Sequence, residues 1–570
     1  MGLCALGLIG SVLFAAIWPP WNLWWCVFVA AVPVAVISLR ANSAWRAALL
    51  VLLTQIPGWL WVQHWMVQLT PPGMALLVLY CAVYVALFAV VLRRIARWTP
   101  IATGRVPMAL VVPVVWTACE YLRTTLVLGG YPWYPLGLGL IGPAEGDGLL
   151  AQSASIFGLP FLSAIAASVA GLLIDWSGIA RSQASTAGSP RRTRVLATIA
   201  VMAVQAANLV YGWMVLEATA ATEGPAVLVV QTDLSVSNKN EWSREDQERD
   251  FAGYVRETLA GASAHRSEGG TIDLVVWPET MVPGFGLEPA TLAMLTKGRY
   301  YPGAIYADSL ALMQERLAVP VVVGAPVYLG LRPDPEKERW LWDTHYNSAY
   351  LINGPPPYRR YDKLVLTPFG EVMPLISRWE WLEKQLLSLS APGMTFDLEP
   401  GVDAVRFAVP WARRPGAPLR IVTPICFEDT IASVCRELCY ANGERAADLM
   451  VNLSNDGWFG WSDDGREHHV LHARIRSIEL GVPIIRCANT GHSVVIEWSG
   501  RISDRIGLPH EKATGTMVRT MSAKLTTRST IYGMMGDVWP WSMLLATSIL
   551  LMIAPRGRIV GESPPVTKRP

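Results

Sequence analysis

Seven apolar runs, at residues 3–18, 23–39, 47–61, 74–92, 106–121, 156–176 and 195–215, follow one another with short links across the first 215 residues. A helix of about 20 residues crosses a bilayer. One such run could be a buried helix of a soluble core, but seven crowded together could not, because nothing polar would remain to cover them. An eighth run, at 539–554, lies close to the C-terminus. The first and third runs are short or interrupted, so the boundaries of the eight expected spans are loose. Composition agrees: 52% of the 570 residues are hydrophobic and only 16% are charged, which is unusual for a soluble enzyme.

Basic residues orient the spans. Arg40 and Arg46 flank the second link, Arg93, Arg94, Arg97 and Arg105 fill the fourth, Arg181, Arg191, Arg192 and Arg194 fill the sixth, and Arg556, Arg558, Lys568 and Arg569 follow the last span. The links at 19–22, 63–73 and 124–152 contain no Lys or Arg. By the positive-inside rule both termini are expected in the cytoplasm. An odd number of spans then puts the large segment between the seventh and eighth on the outer side. The opening residues lack a basic n-region and a small-residue cleavage site, so the first run is expected to stay as an anchor. The division that follows is 1–218 as a seven-span region, 219–530 as an outer domain, 531–555 as the final span and 556–570 as a disordered cytoplasmic tail.

The outer segment reads as alternating strands and helices. Strand-like runs at 226–231, 273–277, 319–324, 347–352, 419–425, 448–453 and 483–487 lack polar alternation, which argues a sheet covered on both faces. Ser243 opens a helix whose apolar positions Phe251, Tyr254, Val255 and Leu259 share a face, and a second helix is expected over 467–480.

Within this segment Cys426 ends the apolar run Arg420-Ile-Val-Thr-Pro-Ile-Cys and precedes Phe427, Glu428 and Asp429. A strand-to-helix turn projects a nucleophile, and the amides after it are free to bind an oxyanion. Most single cysteines are structural. Two other segments change the balance. Trp277-Pro-Glu279 ends a short apolar strand with a carboxylate, and Tyr361-Asp-Lys363 through Pro368-Phe-Gly-Glu371 adds a lysine and a second acid. A thiol needs a base, and the intermediate it forms needs a cation or amides. Glu279, Lys363 and Cys426 supply both.

These motifs, with Asn452-Leu-Ser-Asn-Asp-Gly-Trp-Phe-Gly460, resemble in kind and order the nitrilase superfamily of carbon-nitrogen hydrolases and acyltransferases, over about residues 225–527. The resemblance implies an α-β-β-α sandwich, where composition alone gives only α/β. The expected fold class is therefore an α+β membrane protein, an eight-helix transmembrane bundle plus a nitrilase-like sandwich. A nitrilase-like domain held between seven spans and a final one resembles the bacterial apolipoprotein N-acyltransferase family, as does the link Gly129-Gly-Tyr-Pro-Trp133 with Glu120 and Arg123 before it. That resemblance implies an inner-membrane enzyme with a periplasmic catalytic domain. It would take a phospholipid as acyl donor and a diacylated apolipoprotein as acceptor, among membrane lipids, as a monomer without a cofactor. Glu279 would be the base, Lys363 and the Phe427 amide the oxyanion holders, and Glu371 and Glu428 the supports. Phe427 stands where many relatives carry Tyr. The apolar segment 281–287, with Phe285, and the amphipathic 379–389, with Trp379, Trp381 and Leu386, are expected as lids. Trp458 is expected close to the catalytic strand ends.

Rival sites are weaker. His468 and His472 lie one helical turn apart but lack the His-Glu-x-x-His order and a third ligand, so they are expected to shape the pocket edge and not to bind a metal. Gly491-His-Ser493 lacks the second glycine of a serine elbow. A net charge of +2 with no basic run argues against nucleic acid. Two other functions share some features: a membrane-anchored amidase for small amides, which gives no reason for eight spans, and a non-catalytic lipoprotein-binding scaffold, against which the intact Glu279, Lys363 and Cys426 count.

Overall fold

Two six-stranded sheets face each other and carry helices on their outer sides. The computed structural model describes residues 2–143, 146–179, 191–234, 242–336, 339–368, 370–372, 397–460, 462–507 and 516–555. In the first sheet the strands Met517–Met521, Val227–Gln231, Leu274–Val276, Val321–Leu329, Thr344–Ile352 and Arg359–Asp362 lie side by side in that order. In the second the order is Ile502–Arg505, Val494–Ile496, Ile484–Ala488, Leu449–Ser454, Leu419–Val422 and Phe407–Val409. Central pairs in each sheet are parallel and outer pairs antiparallel.

One buried cluster joins the inner faces, with Val227, Val229, Leu274 and Val276 from the first sheet against Val422, Leu449, Val451 and Ile485 from the second. The outer face of the first sheet is covered by the helices Arg244–Ser267 and Ile305–Leu317, through Phe251, Tyr254, Leu310 and Met313. Helices Ala432–Cys439 and Asp463–Leu480 flank the second sheet. Full burial of the Val227–Gln231, Leu274–Val276, Leu449–Ser454 and Ile484–Ala488 strands accounts for their lack of alternation. Ser243 caps the Arg244–Ser267 helix by accepting the Asp246 N–H, as its position predicts.

Several strands escape the sequence reading: Arg359–Asp362, Phe407–Val409, Val494–Ile496, Ile502–Arg505 and Met517–Met521. Four of the five have exposed or half-buried positions, and Ile502–Arg505 has no buried one, so their apolar signal is diluted.

In the first 218 residues and at the C-terminal end, helices of two lengths occur. Ala44–Val62, Pro71–Ile95, Met108–Gly129, Leu159–Ser177 and Arg191–Ala218 are long and apolar enough to cross a membrane, while Gly2–Ala16, Trp24–Arg40 and Val538–Ile553 are shorter apolar helices. All eight coincide with the apolar runs of the sequence, but only five reach full spanning length among the described residues. Small residues let these helices approach: a Cβ on Gly171 would stand 2.3 Å from the Met108 carbonyl oxygen. Asp175, from the same helix as Gly171, accepts the Met108 and Ala109 N–H groups at 2.8 and 2.9 Å, supplying an anion at a helix N-terminus. The tail expected to be disordered, 556–570, lies outside the described residues.

The links 63–73 and 124–152, which lack Lys and Arg, and Trp18 at the edge of the third such link touch the sandwich. Trp18 packs edge-on against His468 at 5.1 Å, Gln68 donates to the Phe459 carbonyl at 3.4 Å, and Arg474 donates to the carbonyls of Gly142 and Pro143 at 3.0 and 2.8 Å. Gln152 donates to the Ser499 carbonyl at 2.9 Å. The arginine-bearing ends gather elsewhere: Arg93 donates to the Ser38 carbonyl, and Arg94 to that of Leu551.

Candidate active site

Glu279, Lys363 and Cys426 come from three separate strand ends, and the backbone fixes each. After Leu274–Val276 the chain crosses the next strand so closely that only glycine fits there. A Cβ on Gly324 would lie 2.5 Å from the Pro278 carbonyl oxygen and 2.7 Å from the Glu279 Cα. Lys363 follows Arg359–Asp362, where its N–H donates to the Asn347 carbonyl and its own carbonyl accepts the Gly401 N–H. Cys426 begins a 3-10 turn, Cys426–Thr430, with φ +51°. Left-handed backbone at a non-glycine residue is uncommon and clusters at functional sites.

The acid and the lysine form one buried unit. Lys363, 1% exposed, sits 2.6 Å from Glu371 Oε2 and 3.7 Å from Glu279 Oε1. Asn347 bridges the two carboxylates, its Nδ2 donating to Glu279 at 2.7 Å and to Glu371 at 3.2 Å. The Thr367 N–H donates to Glu371 at 2.8 Å. Burial pulls the Lys363 ammonium down, but the carboxylates of Glu371 and Glu279 outweigh it and hold the group above its ordinary value. Burial favours a neutral Glu371, and the Lys363 charge overrides it, so this carboxylate stays ionised.

Burial pushes the Cys426 thiol up, the Glu279 charge adds to this, and Lys363 with the Asn455 backbone N–H works against them. The resting sulfur is thus a protonated thiol that feels the charges of both the Glu279 carboxylate and the Lys363 ammonium. It needs a base in place to become a nucleophile.

Glu428 is the clamp of this turn. Its carboxylate accepts both the Ile425 N–H at 2.7 Å and, from across the site, the Leu364 and Val365 N–H groups at 2.6 and 3.1 Å. The Tyr361 hydroxyl lies 2.9 Å from both of its oxygens. Burial raises this carboxyl to about 7 against the pull of the Ile425 amide. Glu428 therefore ties the lysine segment to the cysteine turn. Phe427 turns its ring towards the helical bundle and packs on the cluster that holds Trp65, Trp133 and Phe459.

Other expected residues fall differently. Met281, Val282 and Leu287 are core side chains, and the N–H groups of Met281 and Val282 bond the Gly324 carbonyl. The expected lid 281–287 is thereby narrowed to the half-buried Phe285, which packs against Tyr328 and Trp340. Trp379, Trp381 and Leu386 lie outside the described residues. Trp458 is half-buried in the short turn Asp456–Phe459 that follows Leu449–Ser454. His468 and His472 do not edge a catalytic pocket. They are fully buried in the seam between sandwich and bundle, with the Trp133 ring 5.1 and 5.8 Å from theirs, because the apolar link 129–134 docks on this helix. Among the described residues no group of three or more His, Cys, Asp or Glu has a metal-holding arrangement.

Asn347 escaped the sequence reading, although a polar side chain inside a buried strand was a visible signal. Cys435 and Cys439 are buried free thiols, and Cys435 donates to the Glu428 carbonyl at 3.3 Å.

Comparison with known proteins identifies the family. Residues 10–172 match the apolipoprotein N-acyltransferase N-terminal domain, and residues 240–529 match the carbon-nitrogen hydrolase family. An apolipoprotein N-acyltransferase of Bradyrhizobium diazoefficiens is 30% identical over 84% of this chain and 79% of its own length. One from Geobacter metallireducens is 26% identical over 85% of this chain and 81% of its own. An amidase from Nesterenkonia sp. covers 53% of the chain and 92% of itself at 13% identity, with a TM-score of 0.33. The two matched regions and the full-length relatives show that this chain belongs to the apolipoprotein N-acyltransferase family, with a catalytic half of the carbon-nitrogen hydrolase type.

Proposed function

We propose that this protein moves an acyl chain from a phospholipid to the N-terminal α-amino group of the diacylglyceryl cysteine of apolipoproteins, by way of a thioester on Cys426. The observation that carries the reading is the unit of Glu279, Lys363 and Glu371 set beside the thiol of a strained turn, in a chain of this family.

In the first half-reaction Glu279 takes the Cys426 proton as sulfur attacks the ester carbonyl. The negative oxygen of the tetrahedral intermediate is met by the Lys363 ammonium and the Phe427 N–H. The C–O bond then breaks, the leaving alkoxide takes the proton from Glu279, and a lysophospholipid departs. In the second half-reaction the α-amine attacks the thioester, Glu279 accepts the amine proton, the C–S bond breaks and the proton returns to sulfur. An amide and the free thiol result. Glu371 and Asn347 keep the lysine and the base in register, and Glu428 keeps the turn against them. Half-buried Phe285 and Trp458, with 379–389, are the proposed contacts for acyl chain or substrate, where exclusion of water protects the thioester.

The topology proposed is an inner-membrane bundle of eight spans with cytoplasmic termini, an outer catalytic domain over 219–530 and a monomeric state. Its support is the segregation of links: those free of Lys and Arg carry the sandwich, and the arginine-bearing ends meet away from it. Family membership disfavours the small-amide hydrolase and the inert scaffold. Intact-mass analysis after incubation with phospholipid vesicles tests the chemistry. An acyl adduct on the parent protein that is absent from Cys426→Ala and discharged by a diacylated lipopeptide is expected. No adduct, or one that persists in Cys426→Ala, overturns it.

A further inference from the structure

A cleft of about 200 Å³ opens on the seam between bundle and sandwich. Its bundle wall is apolar, with Trp18, Trp24 and Leu138 from the chain around the links 19–22 and 124–152. The sandwich wall comes from the helix Asp463–Leu480 and from His492, Ile502 and Arg505. Two observations separate this cleft from the nucleophile. Glu467, Val470, Leu471 and Arg474 share one helix face and line the cleft, while His469, about 200° round the helix from Glu467, lies 2.8 Å from Asp429 of the Cys426–Thr430 turn. Ile502–Arg505 also stands four strands from Leu419–Val422, the strand that leads to Cys426, which is about 19 Å at ~4.8 Å per strand.

Aromatic side chains set the height of the cleft. Trp21, Trp25 and Trp61 are exposed, and Trp21 stacks on Trp61 at 4.9 Å. Exposed tryptophans at the ends of apolar helices mark the boundary between membrane and water. Trp24, between Trp21 and Trp25, turns into the cleft, so the cleft opens at that boundary.

Its polar groups gather on the sandwich wall. Arg474 is held by the carbonyls of Gly142 and Pro143. Arg505 is half-buried, and its neighbour Asp504 pairs with Arg519 at 2.8 Å, so the Arg505 guanidinium has no ion pair among the described residues. His492 is 4% exposed, and burial lowers its imidazole to about 4, so the ring is neutral. Its Nε2 is buried with no hydrogen-bond partner among the described residues, which is rare enough to call for a ligand or a water. Two guanidinium groups against the one carboxylate of Glu467 leave this wall net positive among the described residues. An apolar wall at the membrane boundary beneath a cationic one matches an amphiphile with an anionic head.

We propose that the cleft binds a glycerophospholipid of the outer leaflet, with its phosphodiester on Arg505 beside His492 and one acyl chain along Trp18, Trp24 and Leu138, as a structural lipid bridging bundle and sandwich. The proposal rests on the outer placement of the sandwich given above. The cleft takes part of the lipid, and the rest stays in the bilayer. A lipid that touches both walls binds only the docked halves and stabilises them by mass action.

The test is native mass spectrometry of the full-length protein in detergent micelles, in a Cys426→Ala background so that no acyl adduct forms, with a phosphatidylglycerol of fixed chain length as the probe. The background protein is expected to retain one phospholipid more than its Ile502→Trp variant, whose indole fills the cleft. Arg505→Gln is expected to bind that lipid about tenfold more weakly, and it decides the matter if Ile502→Trp does not fold. Neither inorganic phosphate nor a diacylglycerol with the same chains is expected to displace the lipid at equal concentration. With Cys426 intact, both variants are expected to transfer acyl chains at nearly the parent rate. Equal retention by all three proteins overturns the site, and displacement by inorganic phosphate overturns its assignment to a lipid. Loss of retention together with loss of acyl transfer puts the cleft on the substrate's path and overturns the structural role. Micelles impose no orientation, so a topology assay that placed the sandwich inside, with binding intact, would overturn the outer placement and leave the lipid in its cleft.

Discussion

Lys363 shows how much one side chain can depend on its neighbours. Its ammonium is 1% exposed, and Glu371 at 2.6 Å is the contact that keeps it charged there. Glu371→Gln is expected to leave a buried cation with a weaker partner and to lower the rate of thioester formation by roughly a hundredfold, measured by single-turnover mass analysis. A variant with the parent rate would show that Glu279 alone holds the lysine. Cys426 and Glu279 were readable from sequence because each ends an apolar run beside an acid or a proline, and Lys363 because it stands with Asp362 a few residues ahead of Pro368-Phe-Gly-Glu371. Asn347 was not, since its role arises only when the strand Thr344–Ile352 is laid beside two other strand ends and its amide meets both carboxylates. The same holds for His469, which beside His468 and His472 reads as one member of a histidine row, and which separates from them only by facing Asp429 and Asp456.

At the scale of elements, the helix Asp463–Leu480 does two jobs: one side lies against the second sheet and the other meets the bundle. Burial lowers the His469 imidazole, but Asp429 and then Asp456 overcome it and raise the group to about 9 from an ordinary 6.5. A histidine with a raised folded value binds its proton more tightly when folded. Its contribution is complete below about 6.5 and fades as pH climbs through about 9, a span on the order of 3 kcal/mol at most. Thermal unfolding followed from pH 6 to 9.5 is expected to show the midpoint falling across this window, and His469→Gln is expected to flatten that fall. An equal slope in both proteins would locate the titration elsewhere. On the other side of the helix, Trp133 is 3% exposed and packs against Trp65 of the bundle and against Phe459 and His468 of the sandwich. Trp133→Ala is expected to cost about 3–5 kcal/mol and to split a single calorimetric transition into two, one for the bundle and one for the sandwich. The central strands were legible because both of their faces are buried. The strands at the edges were not, because solvent on one side mixes polar residues into Arg359–Asp362 and Ile502–Arg505.

Across the whole molecule, the arginine count read from sequence and the docking of the sandwich on the arginine-free links point to the same side. Single cysteines placed at Ser43 and at Gly129, in a background without Cys4, are expected to differ in labelling by a membrane-impermeant maleimide on intact cells. The site at 129 should react and the one at 43 only after permeabilisation. The reverse pattern would invert the proposed topology. What the sequence could not give is the seam, where Trp18, Trp65, Trp133 and Phe459 meet from segments hundreds of residues apart. Spacing along a chain says nothing about such a meeting.

The first and last strands of the sandwich, Val227–Gln231 and Met517–Met521, are antiparallel neighbours, and just outside them Thr222 and Leu525 pair through two 2.8 Å backbone hydrogen bonds. The chain thus enters and leaves the domain through one doorway. A shift between the helices Arg191–Ala218 and Val538–Ile553 would load that doorway and stop there, because the strands that carry Glu279, Lys363 and Cys426 hang beyond it as a closed loop. The catalytic turn is mechanically insulated from the membrane along its own covalent chain, and any motion of the bundle that reaches the sulfur must travel through the side chains of the seam.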